Sequence, residues 1–298
     1  MQLSAPRARN LSERGVSIQR PHCRSYVLRA PFPGTMTSAG PDTVEAIEAA
    51  AATGEGAPAK RAYVRRMFSE IAPRYDLLNH LLSLSLDRWW RARALSALNW
   101  QRSPNGVYLD LCAGTLDVAI RLARQAGFGG LVVASDFAVP MLQIAQPKIQ
   151  GRAVVAVGAD ALSLPMRTDG FDGAIVAFGA RNLADLDAGL QEVFRVLRPG
   201  GRFVILEFQT PRNALVRAAY HVYFHRVVPF IGRVVSGHKT AYRYLPESVA
   251  HFPSEKELAD RLTRTGFIDV RWQSLTFGVA AIHVADKPAD SRRLTADS

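Results

Sequence analysis

The stretch that decides the fold runs from residue 107 to residue 136 and reads VYLDLCAGTLDVAIRLARQAGFGGLVVASD. It begins with an apolar run at 107–112, continues with apolar residues at helical spacing over 116–125, and ends with a second apolar run at 131–135. A strand, a helix and a second strand in this order form the unit from which parallel sheets are built. The stretch therefore predicts the start of an α/β sheet.

The same alternation continues towards the C-terminus. The further predicted strands are 153–157, 171–178 and 202–208, and the further predicted helices are 139–149, 185–197 and 254–265. Because these strands are nearly continuous apolar runs, they indicate a mostly parallel sheet with helices on both faces. The last two strands, 267–274 and 277–285, have no helix between them, which predicts an antiparallel hairpin.

The pattern also divides the chain into regions. Residues 61–72 and 76–98 show helical spacing interrupted by Pro73, which disfavours helix at the residue before it. We expect a disordered extension at 1–60, one folded domain at 61–288 and a loose tail at 289–298. Within the domain we expect a helical cover at 61–98 and a helical insertion at 212–252.

The composition is that of a folded chain without a disulfide framework. Of the 298 residues, 48% are hydrophobic and 21% are charged, and the two cysteines are Cys23 and Cys112. This supplies enough apolar material for a sizeable core. Two cysteines without zinc-type spacing favour a reducing compartment, so we expect a cytoplasmic protein with no metal site.

The net charge of +11 is unevenly distributed. Residues 1–35 contain six arginines and one acid, and the rest of the chain has no polybasic run. Because the remaining charge is spread out, we expect no nucleic-acid partner. No run of 18 apolar residues is present, so no membrane-spanning helix is predicted. The start, rich in Arg and Ser, is typical of an organelle transit segment and is equally explained by translation that begins at Met36.

The ends of the first three predicted strands carry candidate ligand-binding residues. The first turn contains Asp110 and a single glycine, Gly114, whereas a dinucleotide fingerprint requires three glycines. Asp136 ends the second strand, where a carboxylate can accept both hydroxyls of a ribose. Asp160 and Ala161 follow the third strand, where an acid and a small residue can frame an adenine edge. Together these turns favour an adenosyl ligand without a pyrophosphate.

The turns resemble those of class I S-adenosylmethionine-dependent methyltransferases. The match extends to the ubiquinone/menaquinone biosynthesis C-methyltransferase family, over about residues 61–288. The segments that carry it are MFSEIAPRYDLLNHLLSLSLDRWWR (67–91), AFGARNLAD (177–185), FRVLRPGGRFVILEFQTP (194–211), AYRYLPESVAHFP (241–253) and FGVAAIHVADKP (277–288). The resemblance implies S-adenosylmethionine as cofactor and a prenylated quinol as substrate.

The resemblance also implies roles for individual residues. The expected cofactor contacts are Thr115, Asp136, Asp160 and Ala161, with Asp110, Gly114 and Asp117 lining or supporting the methionine end. The sequence departs from the family pattern at two places. Leu116 replaces the second glycine of Gly-Thr-Gly-Asp, and we expect a repacked first helical turn with cofactor binding retained. Ala177 replaces a serine that contacts the cofactor in some members, so one hydrogen bond is expected to be missing.

The family reaction methylates a ring carbon of the quinol, and four residues are candidates for the chemistry. Arg181 would stabilise the quinolate oxygen; the alternative is a surface arginine paired with Asp185. Asn182 would bond the second quinol oxygen or cap the following helix. Tyr75 and Asp76 would close the pocket, with Asp76 or a water taking the ring proton, and the alternative for Asp76 is a helix N-cap.

The stretch 215–235 mixes aromatic and basic residues. It suits a lipid-tailed substrate and contact with anionic headgroups at a membrane surface, or a helical insertion that packs on the sheet. His221 and His225 lack a third ligand, so no metal site is expected there. The rival functions are methylation of another small molecule or RNA, and a non-catalytic relative that binds a lipid or partner. A homo-oligomer is compatible with the sequence.

Overall fold

Seven strands form one mixed sheet in the computed structural model, which describes residues 28–29, 57–75, 83–223, 226 and 239–289. The strands are β1 (Val107–Leu111), β2 (Leu131–Asp136), β3 (Val154–Gly158), β4 (Phe171–Ala177), β5 (Leu197–Phe208), β6 (Ile268–Leu275) and β7 (Ala280–Asp286). Their order is β3-β2-β1-β4-β5-β7-β6, and a further two-residue strand, Leu28–Arg29, pairs with β3. The strands from β3 to β5 are parallel, and β7 is antiparallel to both β5 and β6. The predicted parallel sheet with a C-terminal antiparallel hairpin is confirmed.

Helices pack on both faces of the sheet, as predicted. The helices of the described residues are α1 (Ala57–Ile71), α2 (Leu86–Leu98), α3 (Asp117–Ala123), α4 (Val139–Ala145), α5 (Leu186–Val196), α6 (Ala214–Val222), α7 (Lys239–Ala250) and α8 (Glu255–Thr265). Helices α2, α3 and α4 pack on one face, and α5 and α8 pack on the other. No helix in these ranges is long and apolar enough to cross a bilayer.

The order of the strands determines where a ligand can bind. From β1 the chain proceeds outward through β2 and β3, and then returns to place β4 on the other side of β1. All five residues of β1 are buried, because the strand has neighbours on both edges and helices on both faces. In open α/β sheets the crevice at such a reversal, beyond the carboxyl ends of the strands, is the ligand site.

The first part of the predicted helix at 76–98 is wrong. Residues 83–85 form a turn in which Leu84 and Ser85 have φ of 50° and 62°, and α2 begins at Leu86. The Ser83 hydroxyl donates to the Asp87 carboxylate at 2.7 Å. Such local side-chain bonds compete with helix, and apolar spacing alone does not detect them. Residues 76–82 lie outside the described residues.

The boundary between α5 and β5 also differs from the prediction. The helix ends at Val196 and the strand begins at Leu197, before Pro199-Gly200-Gly201. Phe171 pairs with Leu197 and Gly173 pairs with Arg202, so the intervening residues bulge from the ladder. Gly200 has φ of 76°, a conformation that glycine adopts without steric cost. The Pro-Gly-Gly segment is therefore a bulge within the strand.

The sequence predicted that Leu116 lies in the first helical turn, and this prediction is wrong. Leu116 is the fully buried N-cap of α3, with φ of 70° and ψ of 20°. A left-handed conformation costs an L-residue about 1–2 kcal/mol, whereas glycine adopts it freely. The glycine that the resemblance implies at this position would therefore meet a requirement of the backbone, and Leu116 meets the same requirement at a cost.

Helix α1 and the two described helices of the insertion pack together above the sheet. Their shared apolar cluster, which we call the cover cluster, contains Val64, Met67, Tyr220, Tyr244 and Val249. Phe137 and Phe208, which follow or end strands of the sheet, pack against this cluster from below. The cover cluster therefore lies over the carboxyl edge of the sheet.

The expected extension and tail fall mostly outside the described residues. Of residues 1–60, the structure describes the pair Leu28–Arg29 and the start of α1, and of residues 289–298 it describes one. The predicted domain boundaries therefore stay predictions.

Candidate active site

A cavity lies at the carboxyl ends of β1, β2, β3 and β4, beneath α1. Such crevices at the edge of an α/β sheet are where small-molecule ligands bind. Six of the residues predicted for the site line it, namely Tyr75, Gly114, Asp136, Asp160, Ala161 and Asn182. The structure thus brings together residues from four predicted strand ends and from the cover.

Asp136 is the buried acid of this cavity. Its Oδ2 accepts a hydrogen bond from the Gly114 amide and its Oδ1 accepts one from the Ala138 amide, each at 2.8 Å. Burial raises the pKa of Asp136 to about 6, although these amides act in the opposite direction. A carboxylate has about four lone-pair sites, so Asp136 retains acceptor capacity for the hydroxyls of a sugar.

Asp160 and Ala161 form another wall of the cavity. Asp160 accepts a hydrogen bond from the Leu162 amide at 3.0 Å, and its second carboxylate oxygen pairs with Arg61 of α1. Arg61 also lines the cavity. Sequence reasoning missed Arg61, because no local signal links it to an acid almost a hundred positions away. This ion pair closes one end of the cavity with a residue of the cover.

Three of the predicted cofactor residues support the cavity without lining it. Asp110 accepts a hydrogen bond from the Ala119 amide at 2.9 Å, which fixes α3 to β1. Burial raises the pKa of Asp110 to about 7. The carbonyl of Thr115 accepts a hydrogen bond from Lys148 at 3.3 Å. Oδ2 of Asp117 lies 3.4 Å from Nη1 of Arg91, so its carboxylate is held by α2, which packs on the face of the sheet.

The remaining loop residues explain the tight turns around the cavity. A side chain at Gly114 would meet Met141 and Tyr75, and Gly114 has φ of 53°. A Cβ at Gly179 would lie 2.4 Å from the Cβ of Cys112. The close approach of Cys112 therefore leaves no space for a side chain at Gly179. Ala177 is half-buried at the end of β4 and is not part of the cavity wall.

Arg181 forms a buried ion pair with Glu207, at the end of β5. The Arg181 Nη1 lies 2.6 Å from Oε1 of Glu207, and the two side chains are 8% and 1% exposed. Burial lowers the pKa of Arg181, but the charge and hydrogen bond of Glu207, together with Tyr75 and Tyr244, outweigh it, so this pKa lies above its ordinary value. The alternative of a surface arginine paired with Asp185 is therefore wrong. Sequence reasoning missed Glu207, since the pair joins two different strand ends.

Asn182 lines the cavity beside this ion pair. It is not a helix cap, because Asp185 caps α5 by accepting a hydrogen bond from the Ala188 amide. Its Nδ2 donates to the Phe178 carbonyl at 3.4 Å, and its buried Oδ1 has no hydrogen-bond partner among the described residues. Tyr75 lies edge-on to Phe68 at the cavity wall. Asp76 and His225 lie outside the described residues, so neither prediction about them is tested.

A second cavity lies on the other side of the loop 180–186. It shares Leu183 and Ala184 with the first cavity. Arg181 and Tyr244 line this second cavity. The Lys60 ammonium of α1 donates to the carbonyls of Arg181 and Leu183 at 3.2 and 2.8 Å, which fixes the loop between the two cavities.

The strand order, the buried acid at the end of β2 and the cavity beside it define the class I S-adenosylmethionine-dependent methyltransferases. The structure is similar to that of an S-adenosylmethionine-dependent methyltransferase from Thermotoga maritima, with a TM-score of 0.53 at 18% identity over 75% of this chain and 99% of that one. At this level of identity the likeness shows the fold alone. The chain belongs to the ubiE/COQ5 methyltransferase family, whose model matches residues 57–287.

Two relatives in this family are similar to the chain over most of its length. The demethylmenaquinone methyltransferase of Thermus thermophilus is 50% identical over 74% of this chain and 100% of its own length. The ubiquinone/menaquinone biosynthesis C-methyltransferase UbiE of Geobacter sulfurreducens is 43% identical over 75% of this chain and 88% of its own length. The chain is therefore an S-adenosylmethionine-dependent C-methyltransferase, as the sequence predicted.

Proposed function

We propose that this protein methylates a ring carbon of a prenylated quinol, with demethylmenaquinol as its substrate. The observation that carries the proposal is the family match over 57–287, which contains every residue that lines the first cavity. The similar proteins from Thermus thermophilus and Geobacter sulfurreducens are named for methylation in menaquinone or ubiquinone biosynthesis, which supports the same reaction here.

The residues of the first cavity fit the adenosyl half of the cofactor. Asp136 is the acceptor for the two ribose hydroxyls, because it is a buried carboxylate with unused lone pairs. Asp160 and Ala161 frame the adenine, and Arg61 closes that end through its pair with Asp160. The backbone at Gly114 lets the methionine end approach, while Asp110, Thr115 and Asp117 hold the loop from behind. Ala177 contributes no hydrogen bond.

The loop after β4 and the cover supply the acceptor end. Arg181 stabilises the developing quinolate, Asn182 bonds the second quinol oxygen, and Tyr75 shields the reacting atoms from water. The bound cofactor supplies a methyl group on a positively charged sulfur. The ring carbon would receive this methyl group as the carbon–sulfur bond breaks and a neutral thioether leaves, and Asp76 or a water would take the ring proton. Orientation of the two reactants supplies most of the rate enhancement.

A lipid-tailed substrate also implies contact with a membrane surface. Phe277 and Leu215 are both 83% exposed, and the backbone at Gly278 lies against Pro211 and Arg212, which lead into α6. Exposed apolar side chains next to arginines suit the interface of an anionic bilayer. We expect the wild-type protein to sediment with vesicles that contain anionic lipid. We expect the double variant Phe277→Ser/Leu215→Ser to sediment with them less. Equal sedimentation of the wild type and the double variant would contradict the membrane contact.

Quinone analysis of a deletion strain tests the function. A strain that lacks the gene, and carries no duplicate of it, is expected to accumulate the demethylated naphthoquinone, and the wild-type gene is expected to restore the methylated product. An unchanged quinone profile would overturn the proposal. Heat of cofactor binding without methyl transfer, measured on the purified protein, would instead favour the non-catalytic relative.

A further inference from the structure

The residue predicted to stabilise the quinolate already has an acid beside it. Glu207 accepts hydrogen bonds from Arg181 Nη1 at 2.6 Å and from the Arg181 amide at 3.2 Å. Because the pair is buried and formally neutral, much of the positive charge of Arg181 is offset before a quinolate arrives. A second hydrogen-bond donor is therefore needed to stabilise the developing anion.

Helix α7 brings Tyr244 to the same place. Ser248, one turn further along α7, accepts a hydrogen bond from Arg181 Nε at 3.3 Å. Residues four apart lie on the same face of a helix, so Tyr244 faces the guanidinium as Ser248 does. Tyr244 and Arg181 also line the second cavity together.

The hydroxyl of Tyr244 is unpaired among the residues that the structure describes. The residue is 6% exposed, and its buried hydroxyl makes no hydrogen bond within the described part of the chain. The ring itself is well placed, since it packs against Tyr63 with the centroids 5.6 Å apart. A buried unpaired hydroxyl destabilises a fold, whereas phenylalanine would supply the same ring without this cost. The hydroxyl therefore has no structural function in the described contacts.

The chemistry of this hydroxyl suits an anion. Burial raises the pKa of Tyr244 above its ordinary value, so the group stays protonated across any assay range. A neutral donor in a site shielded from water stabilises a developing oxyanion without adding charge to the resting protein.

We infer that Tyr244 is a further catalytic residue, which donates its hydroxyl hydrogen bond to the oxygen of the quinol next to the carbon that is methylated. The inference rests on the proposed function and extends it. Arg181, held by Glu207 and Ser248, and Tyr244 together form the oxyanion site, with one donor from the loop after β4 and the other from the insertion.

Tyr244→Phe tests the inference, and Tyr108→Phe is its matched control. Tyr108 is also buried, but its hydroxyl donates to the carbonyls of Trp100 and Ser103, remote from the cavities. With demethylmenaquinol as substrate, we expect Tyr244→Phe to lower kcat about a hundredfold. We expect its cofactor Kd to be unchanged and its melting temperature to be equal or higher. Tyr108→Phe should show the reverse. Its melting temperature should be lower than that of the wild type, and its kcat, measured below that melting temperature, should be normal.

The pH profile gives a readout that a structural role would not change. A donor to the quinolate lowers the pKa of the bound quinol, and kcat is the parameter that reports ionisations of the bound complex, so loss of the donor should move the acidic limb of the kcat profile up by about one pH unit. Normal kcat and an unmoved limb in Tyr244→Phe, with an active wild type, would overturn this inference alone. A fall in kcat that follows a fall in melting temperature would also overturn it. A wild type that does not methylate demethylmenaquinol would overturn the proposed function, and this inference with it.

Discussion

Asp136 is the residue on which cofactor recognition depends most. It is 8% exposed, it is held by the amides of Gly114 and Ala138, and it lies where the first two strands end. The sequence alone predicted that Asp136 lies at the ligand-binding edge of the sheet, because the carboxyl ends of parallel strands always lie at that edge. Its backbone partners were not predicted, since they depend on the conformation of two turns.

Replacing Asp136 tests this role. Asp136→Ala removes two charge-assisted bonds to the ribose, which are worth about 1.5–3 kcal/mol each, so we expect the cofactor Kd to rise by at least about 100-fold. Isothermal titration measures this. Asp169→Ala is the control, because Asp169 is a half-exposed acid whose carboxylate pairs with Lys287 at the surface. Equal affinity of Asp136→Ala and the wild type would contradict the assignment.

The raised pKa of Asp136 predicts a pH dependence. Ribose hydroxyls donate to the ionised carboxylate, and with a pKa of about 6 this form is lost as the pH falls through 6. Cofactor affinity should therefore be constant above pH 7 and decline below pH 6. In titrations of Asp136→Asn, which has no charge to lose, the decline should be much smaller. The titration of Asp136 should be nearly complete within about one pH unit on each side of its pKa. A wild-type cofactor affinity that does not change from pH 5 to pH 8 would therefore contradict the prediction.

At Leu116, the difference in stability between a glycine variant and an alanine variant tests the backbone strain. Removal of a fully buried leucine costs about 2–5 kcal/mol, but glycine also relieves the left-handed backbone strain of about 1–2 kcal/mol. We therefore expect Leu116→Gly to be less stable than the wild type and yet more stable than Leu116→Ala by about 1 kcal/mol. In an ordinary helix the order of glycine and alanine is reversed. Urea unfolding measures the stability of both variants. A glycine variant that is less stable than the alanine variant would contradict the proposed backbone strain at Leu116.

At the scale of elements, the ion pair of Arg181 and Glu207 joins the loop after β4 to the end of β5. Loss of one partner of a buried pair leaves an uncompensated charge and costs about 3–5 kcal/mol. We expect Arg181→Met to lose stability by this amount, and the double variant Arg181→Met/Glu207→Gln to regain a large part of it. Denaturant unfolding of the single and double variants measures the coupling. Additive losses would contradict a direct pair.

The elements also show what sequence reasoning reaches. Every predicted strand exists, because continuous apolar runs between turn residues reflect burial on both faces. The turn at 83–85 and the bulge at 198–201 were missed, since each is fixed by contacts that periodicity does not record. The pairs of Arg61 with Asp160 and of Arg181 with Glu207 were missed for a related reason. They join distant parts of the chain, and only the folded topology brings them together.

At the scale of the whole molecule, the sheet provides one binding edge and the chain outside the sheet covers it. Helix α1 and the insertion form the cover cluster over that edge, and Lys60 and Arg61 fix α1 to the loops below. This arrangement encloses the first cavity between rigid strand ends and helices from two distant segments. Exclusion of water from such a site strengthens the electrostatic stabilisation of a quinolate.

Transfer of an isotopically labelled methyl group is the most direct test of the account. Purified protein, methyl-labelled S-adenosylmethionine and demethylmenaquinol are incubated, and mass spectrometry locates the label in the product. We predict that the label appears on a ring carbon of the naphthoquinol. A label on an oxygen, or an unlabelled quinol beside a protein that binds the cofactor, would contradict it.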